Sequence, residues 1–177
     1  MPFMLFCAAA LILPAAAPAQ RVGFLVGPDF QGTDGTKALG VHLGATLSAR
    51  PRTGLSARVD VTYTTHPAPF GFVEGVCGPP IEPCGYDSRP PLTVISTTIN
   101  AVYFDPKDTR RWGYWIAGLG LYGVTRSPVD GSYLRPGWNL GFGWRVSDMA
   151  FVEVRCHGII RPAELRAFLP IVFGVRF

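Results

Sequence analysis

The segment Leu169–Phe177 constrains this chain more than any other. Counting back from the last residue of the sequence, Phe177, Val175, Phe173, Ile171 and Leu169 are apolar, with Arg176, Gly174, Val172 and Pro170 between them. Apolar residues at every second position give a β-strand one greasy face, because successive side chains leave opposite sides of the backbone. Such a strand at the end of a chain presents an edge that would pair with other molecules unless both sides are occupied. Closure into a barrel meets that demand, since the first strand then becomes the partner of the last. Pro170 cannot donate to a ladder, so the first half of this strand is expected to be less regular than the second.

Seven earlier segments alternate in the same way, which gives eight strands in all. Arg21–Gly27 places Val22, Phe24 and Val26 on one face, and Ala38–Ser48 places Leu39, Val41, Leu43, Ala45 and Leu47 there. Leu55–Thr64 is the cleanest, with Leu55, Ala57, Val59, Val61 and Tyr63 against Ser56, Arg58, Asp60, Thr62 and Thr64. Thr93–Phe104 follows with Thr97 and Val102 as misfits, then Trp112–Val124, Gly137–Val146 and Phe151–Gly158. Each strand therefore has one face for an apolar medium and one for a polar interior.

Composition agrees with strands that meet lipid. Hydrophobic residues make up 48% of the chain and mean hydropathy is +0.24, yet beyond the N-terminus no run of apolar residues is long enough for a membrane helix. Alternation hides the same apolar content from a run count. The uncharged stretch 3–19, with an apolar run Phe3–Leu13 and then Ala17-Pro18-Ala19, reads as a signal peptide over 1–19, although no basic residue precedes it. The barrel domain is then expected over 20–177, in an exported protein, with Cys7 removed.

The charge balance is 16 basic to 12 acidic residues, for a net +4. No Lys/Arg cluster marks a nucleic-acid surface, and an exported chain seldom meets one. Arginines paired inside a barrel and others at the headgroup boundary explain the excess.

Connections between the strands alternate in length. Those at 28–37, 65–92, 125–136 and 159–167 are the longer set; those at 49–53, 105–111 and 147–150 are short. Outer-membrane barrels have short turns on the periplasmic side and longer loops outside. That orientation puts Tyr63 and Trp138 near the outer boundary and Tyr103, Trp115, Trp144 and Phe177 near the periplasmic one, as two aromatic girdles.

With its closing Phe177 and apolar alternation, the chain resembles the bacterial outer-membrane β-barrel family, in size and layout the small eight-stranded barrels of the OmpA/OmpX group. The resemblance implies an all-β, up-and-down antiparallel transmembrane barrel in the bacterial outer membrane. It also implies that Phe173, Val175 and Phe177 form a signal for the barrel assembly machinery. Lipid and lipopolysaccharide would surround the outer face. No peptidoglycan-binding segment follows the last strand, so a wall-tethering role is not expected.

Several constellations could carry function. Arg58, Asp60, Arg145, Glu153, Arg155 and His157 share the inward parity with Arg176 and His42, and an eight-stranded interior is only wide enough for side chains to fill it. A lumen plugged by paired charges is the expectation, with cross-strand partners required for Glu153 and Arg155, which are two apart on one strand. An ion pathway gated by arginine is the alternative. Cys77 and Cys84, with six residues between them in a loop of an exported chain, suggest a disulfide that would stabilise by about 2–3 kcal/mol. Glu74, Glu82 and Asp87 are too few for a metal site nearby, and no metal or cofactor is expected. Cys156 on an outward position reads as apolar filler.

Some barrels of this size resemble the chain but modify acyl chains of lipid A with His, Ser and an acidic residue. Here His66, Asp87 and Ser88 stand at the ends of the long loop, and His157 is near Glu153 in sequence. No surrounding motif can be matched, so the expectation is a non-enzymatic structural or surface-interaction barrel. Its loops, chiefly 65–92, would present the surface for an unidentified extracellular ligand. A narrow porin for small solutes and a lipid A acyl-modifying enzyme are the alternatives.

Overall fold

Apolar and polar residues alternate so regularly that a single closed sheet satisfies both faces at once. In the computed structural model, which describes residues 20–33, 36–49, 54–67, 70–71, 87–88, 91–105, 107, 112–125, 132–160 and 165–177, that sheet is an antiparallel barrel. Its strands are β1 (Gln20–Thr33), β2 (Thr36–Ala49), β3 (Leu55–His66), β6 (Leu92–Phe104), β7 (Gly113–Thr125), β8 (Ser132–Arg145), β9 (Ala150–Ile160) and β10 (Leu165–Arg176). Two short strands, β4 (Phe70–Gly71) and β5 (Asp87–Ser88), pair with each other within the long connection. Around the barrel the order is β1, β10, β9, β8, β7, β6, β3, β2.

The last strand is sealed on both sides. It pairs with β9 and with β1, and the Phe177 amide donates to the Val22 carbonyl at 2.8 Å. Pro170 opens the ladder without shifting it. Pairing with β9 passes from Phe168↔His157 to Ile171↔Val154 in unchanged register, and pairing with β1 skips only Gly27 and Pro28.

Polarity is inverted relative to a water-soluble barrel. Leu43, Ile99, Leu119 and Phe173 face outward, Leu119 with 72% of its surface exposed, whereas Arg58, Asp60, Glu153 and Arg155 are buried. An apolar exterior around a closed ladder leaves no unpaired backbone edge for hydrocarbon to meet, so this is a transmembrane barrel.

Several strands are longer than their alternation suggests. β1 and β2 continue to the pair Thr33↔Thr36, so the expected loop 28–37 shrinks to the two residues Asp34 and Gly35. The Asp-Gly dipeptide was the missed signal, since it favours the tightest hairpins. β7 and β8 meet at Thr125↔Ser132, and β9 and β10 at Ile160↔Leu165. The long connection between β3 and β6 is therefore what remains of the expected length asymmetry.

The extension also moves an expected girdle. β8 starts at Ser132, which leaves Trp138 in mid-strand, half-buried over Gly158, not at the outer rim. Tyr63 is exposed near the outer end of β3. On the short-turn side Tyr103, Trp115 and Trp144 are exposed together with Trp112, whose ring meets Trp144 edge-on at 6.2 Å.

Candidate functional site in the barrel lumen

Halfway down the lumen, two arginines and two carboxylates form a belt. Arg58 and Asp60 come from β3, Glu153 and Arg155 from β9, and these strands lie four steps apart in either direction around the barrel. The pairs therefore cross the full bore. Arg58 grips Glu153 with two parallel bonds, Nη1 to Oε1 at 2.6 Å and Nη2 to Oε2 at 3.0 Å. Arg155 Nη1 reaches back to Asp60 Oδ2 at 2.7 Å. All four side chains are at most 6% exposed. Fork-on-carboxylate geometry makes such charge-assisted bonds strong and directional, and mutual pairing is what lets four charges be buried together.

Glu153 and Arg155 thus have the cross-strand partners they were expected to need, and pairs within a strand form as well. Arg155 Nε donates to Glu153 Oε2 at 2.7 Å, and Arg58 Nε lies 2.9 Å from Asp60 Oδ1. Residues two apart share a face, and a long guanidinium leaning along the strand spans that gap. Arg155 has room to do so because Gly141 lies beside it on β8; a Cβ there would meet the Arg155 side chain at 2.8 Å.

Glycines on intervening strands bring the remaining members into reach. Tyr114, Gly143 and Glu153 form a row across β7, β8 and β9, and the Tyr114 ring lies over Gly143 so that its hydroxyl donates to Glu153. Asn100, Gly118 and Asn139 repeat the arrangement across β6, β7 and β8. There Asn139 Nδ2 donates to Asn100 Oδ1 at 2.8 Å, while Asn100 Nδ2 donates to Asp60 Oδ2 at 2.9 Å. Spacing along the sequence had not singled out Tyr114, Asn100 or Asn139. Their inward parity opposite a glycine was the available signal.

Above and below the belt the lumen holds an apolar cluster beside its polar groups, which a uniformly polar interior does not anticipate. Toward the outside, Leu92, Val94, Tyr122, Val124, Ile159 and Phe168 pack together; toward the short turns, Val102, Phe104, Tyr114 and Ile116 do. His157 belongs to the outer chamber. It stacks on Phe168 at 4.7 Å and stands 3.0 Å from the Tyr122 hydroxyl. His42 Nδ1 is 2.6 Å from Thr64 Oγ1. His66, which the sequence had set beside Asp87 and Ser88, is buried in the lumen, its Nε2 3.6 Å from Asp29 Oδ2. Asp29 lies in the stretch 28–37, which reads as a loop in the sequence and so carries no parity signal. Among the described residues, no three His, Cys, Asp or Glu side chains are placed to share a metal.

Arg145 also faces inward but away from the belt. Its guanidinium sits over the Phe104 ring at 5.2 Å, in a cavity of about 230 Å³ open at the short-turn end. Arg21, Arg176 and Asp148 line the same cavity. Phe173 and Val175 point outward, and so does Phe177 beyond the end of β10. Cys156 is a half-buried free thiol. The stretch 1–19 and the pair Cys77 and Cys84 lie outside the described residues, as do the side chains of Asp87 and Ser88.

No protein-family model matches the chain, and no curated protein matches it. Solved structures do. The Yersinia pestis outer membrane protein Ail in a phospholipid bilayer nanodisc aligns with a TM-score of 0.55 at 12% identity, covering 90% of this chain and 100% of that one. Neisserial surface protein A aligns with a TM-score of 0.55 at 16% identity, covering 89% and 95%. The outer membrane protein OprG from Pseudomonas aeruginosa aligns with a TM-score of 0.52 at 14% identity, covering 90% and 96%. At these identities the likeness lies in the path of the backbone. The chain has the fold of the eight-stranded outer-membrane β-barrels.

Proposed function

We propose that this protein is a non-enzymatic structural and surface-interaction barrel of the bacterial outer membrane, with a lumen that does not conduct. One observation carries the reading: the bidentate Arg58–Glu153 pair bolts opposite walls of the barrel together across its bore. A hydrated solute would have to break that pair, its Arg155–Asp60 counterpart and two apolar clusters in succession. Buried pairs of this kind resist rupture because each charge left behind is unsolvated.

Interaction then falls to the outer loops, above all 65–92, as the surface for an extracellular ligand. The apolar band contacts outer-membrane lipid and lipopolysaccharide, and the strand ending at Phe177 serves as the segment read by the barrel assembly machinery.

The test is electrical. Refolded protein in planar bilayers is expected to give no discrete single-channel events. Discrete openings that change in Arg145→Ala or Arg155→Ala would replace the plug with a narrow porin. A parallel arm compares lipid A mass spectra, which are expected to be the same with and without the protein. A modified species lost in His66→Ala or His157→Ala would make it an enzyme.

A further inference from the structure

The cavity at the short-turn mouth differs from the belt in its charge balance. Arg21, Arg145 and Arg176 contribute three guanidinium groups to it, and Asp148 is its acidic member; Arg58, at its floor, is already engaged by Asp60 and Glu153. Arg176 Nε donates to the backbone carbonyl of Asp148 at 3.1 Å, and Arg21 Nη1 approaches the same carbonyl at 3.5 Å, so two guanidinium groups converge on one neutral oxygen. Arg176 Nη2 is buried and makes no hydrogen bond among the described residues. Three like charges are held together on low-dielectric walls of Val102, Phe104 and Phe151. That arrangement focuses a positive potential into the cavity.

Size and chemistry both fit an oxyanion. A volume of about 230 Å³ far exceeds the roughly 10–15 Å³ that one water requires. Planar guanidinium forks match the oxygen spacing of phosphate, and Thr46 lines the cavity from β2 beside Ser48 and Ser56, whose hydroxyls donate to the Arg21 and Ala49 carbonyls.

We propose that the short-turn mouth of the barrel is a binding site for a phosphate group, held by Arg176 and Arg21. A phospholipid headgroup from the adjoining leaflet and a free phosphate in the periplasm present the same chemistry. The site is independent of the surface role of the outer loops.

Two arms separate the sources. In the first, full-length folded protein in an uncharged detergent is titrated with inorganic phosphate, with sodium chloride at matched ionic strength as reference, and binding is followed by calorimetry and by arginine side-chain NMR signals. Saturable binding is expected, weakened about tenfold or more in Arg176→Gln and unchanged in Arg135→Gln, which alters an arginine at the other end of β8. In the second arm the protein is placed in bilayers of a phosphate-free, uncharged galactolipid alone or with phosphatidylglycerol, and the same arginine signals are read. A shift with phosphatidylglycerol and none with phosphate assigns the site to a headgroup; the reverse assigns it to free phosphate. Arg21→Gln, at the rim, provides a second variant should Arg176→Gln fail to fold. Silence in both arms, a response that chloride reproduces, or equal losses in Arg135→Gln would overturn the proposal.

Discussion

Arg58 and Arg155 at mid-lumen and Arg21, Arg145 and Arg176 at the short-turn mouth are the same residue type on the same inward parity, in different company. The mid-lumen pair is matched one for one by Asp60 and Glu153 and is almost fully buried. The mouth trio is half-buried, and among the described residues lining its cavity Asp148 is the one carboxylate. Where water is excluded, an arginine is tolerable only with its countercharge in place, and the result is a rigid crosslink between walls. Where water enters, a guanidinium needs no fixed countercharge, and Arg176 Nη2 makes no hydrogen bond among the described residues.

If this contrast holds, removing one charge should have very different consequences in the two places. Glu153→Ala strands Arg58 and Arg155 with Asp60 alone, and should lower stability by about 3–5 kcal/mol, seen as a fall in the urea midpoint of unfolding from lipid vesicles. An unchanged midpoint would mean that the belt is solvated, and the comparison would fail.

A smaller effect is expected where the belt depends on a missing side chain. Gly143→Val places a branched side chain where the Tyr114 ring lies, displacing the hydroxyl from Glu153, and should lower stability by about 1–3 kcal/mol. In a Tyr114→Ala background the same substitution should do much less, because the ring it collides with is gone. Equal effects in both backgrounds would assign the penalty to the backbone.

Arg21→Ala is expected to have the smallest effect, at most about 1 kcal/mol on the same midpoint, since its contact is at the rim and water can replace it. A loss comparable with that of Glu153→Ala would put the mouth and the belt in one class.

Much of this architecture can be read along the chain. Leu39 to Leu47 and Leu55 to Tyr63 announce their outward face by parity alone, because a sheet with lipid on one side permits no slip of one residue. Strand ends were harder. Pro28 and Pro136 sit inside β1 and β8, where proline usually signals an end, and a closed ladder absorbs them at the loss of single bonds. Trp138 was consequently placed at a rim when it covers Gly158 in mid-strand.

The candidate site was legible in part. Parity turns Arg58, Asp60, Glu153 and Arg155 inward, but it cannot say that β3 and β9 face each other, which depends on how many strands close the barrel. Nor does parity separate Arg145 from Arg155. Their heights differ, and height depends on register between β8 and β9.

By itself the sequence determined which side of each strand meets hydrocarbon, that the sheet must close, and which side chains enter the lumen. These follow from a period of two and from the need to pair every backbone group in lipid. Only the tertiary structure decided which arginine meets which carboxylate, which aromatic lies across which glycine, and which arginines gather at the mouth. Those outcomes rest on register and closure, which bring together residues as far apart as Arg58 and Glu153, and local periodicity carries no record of such distances.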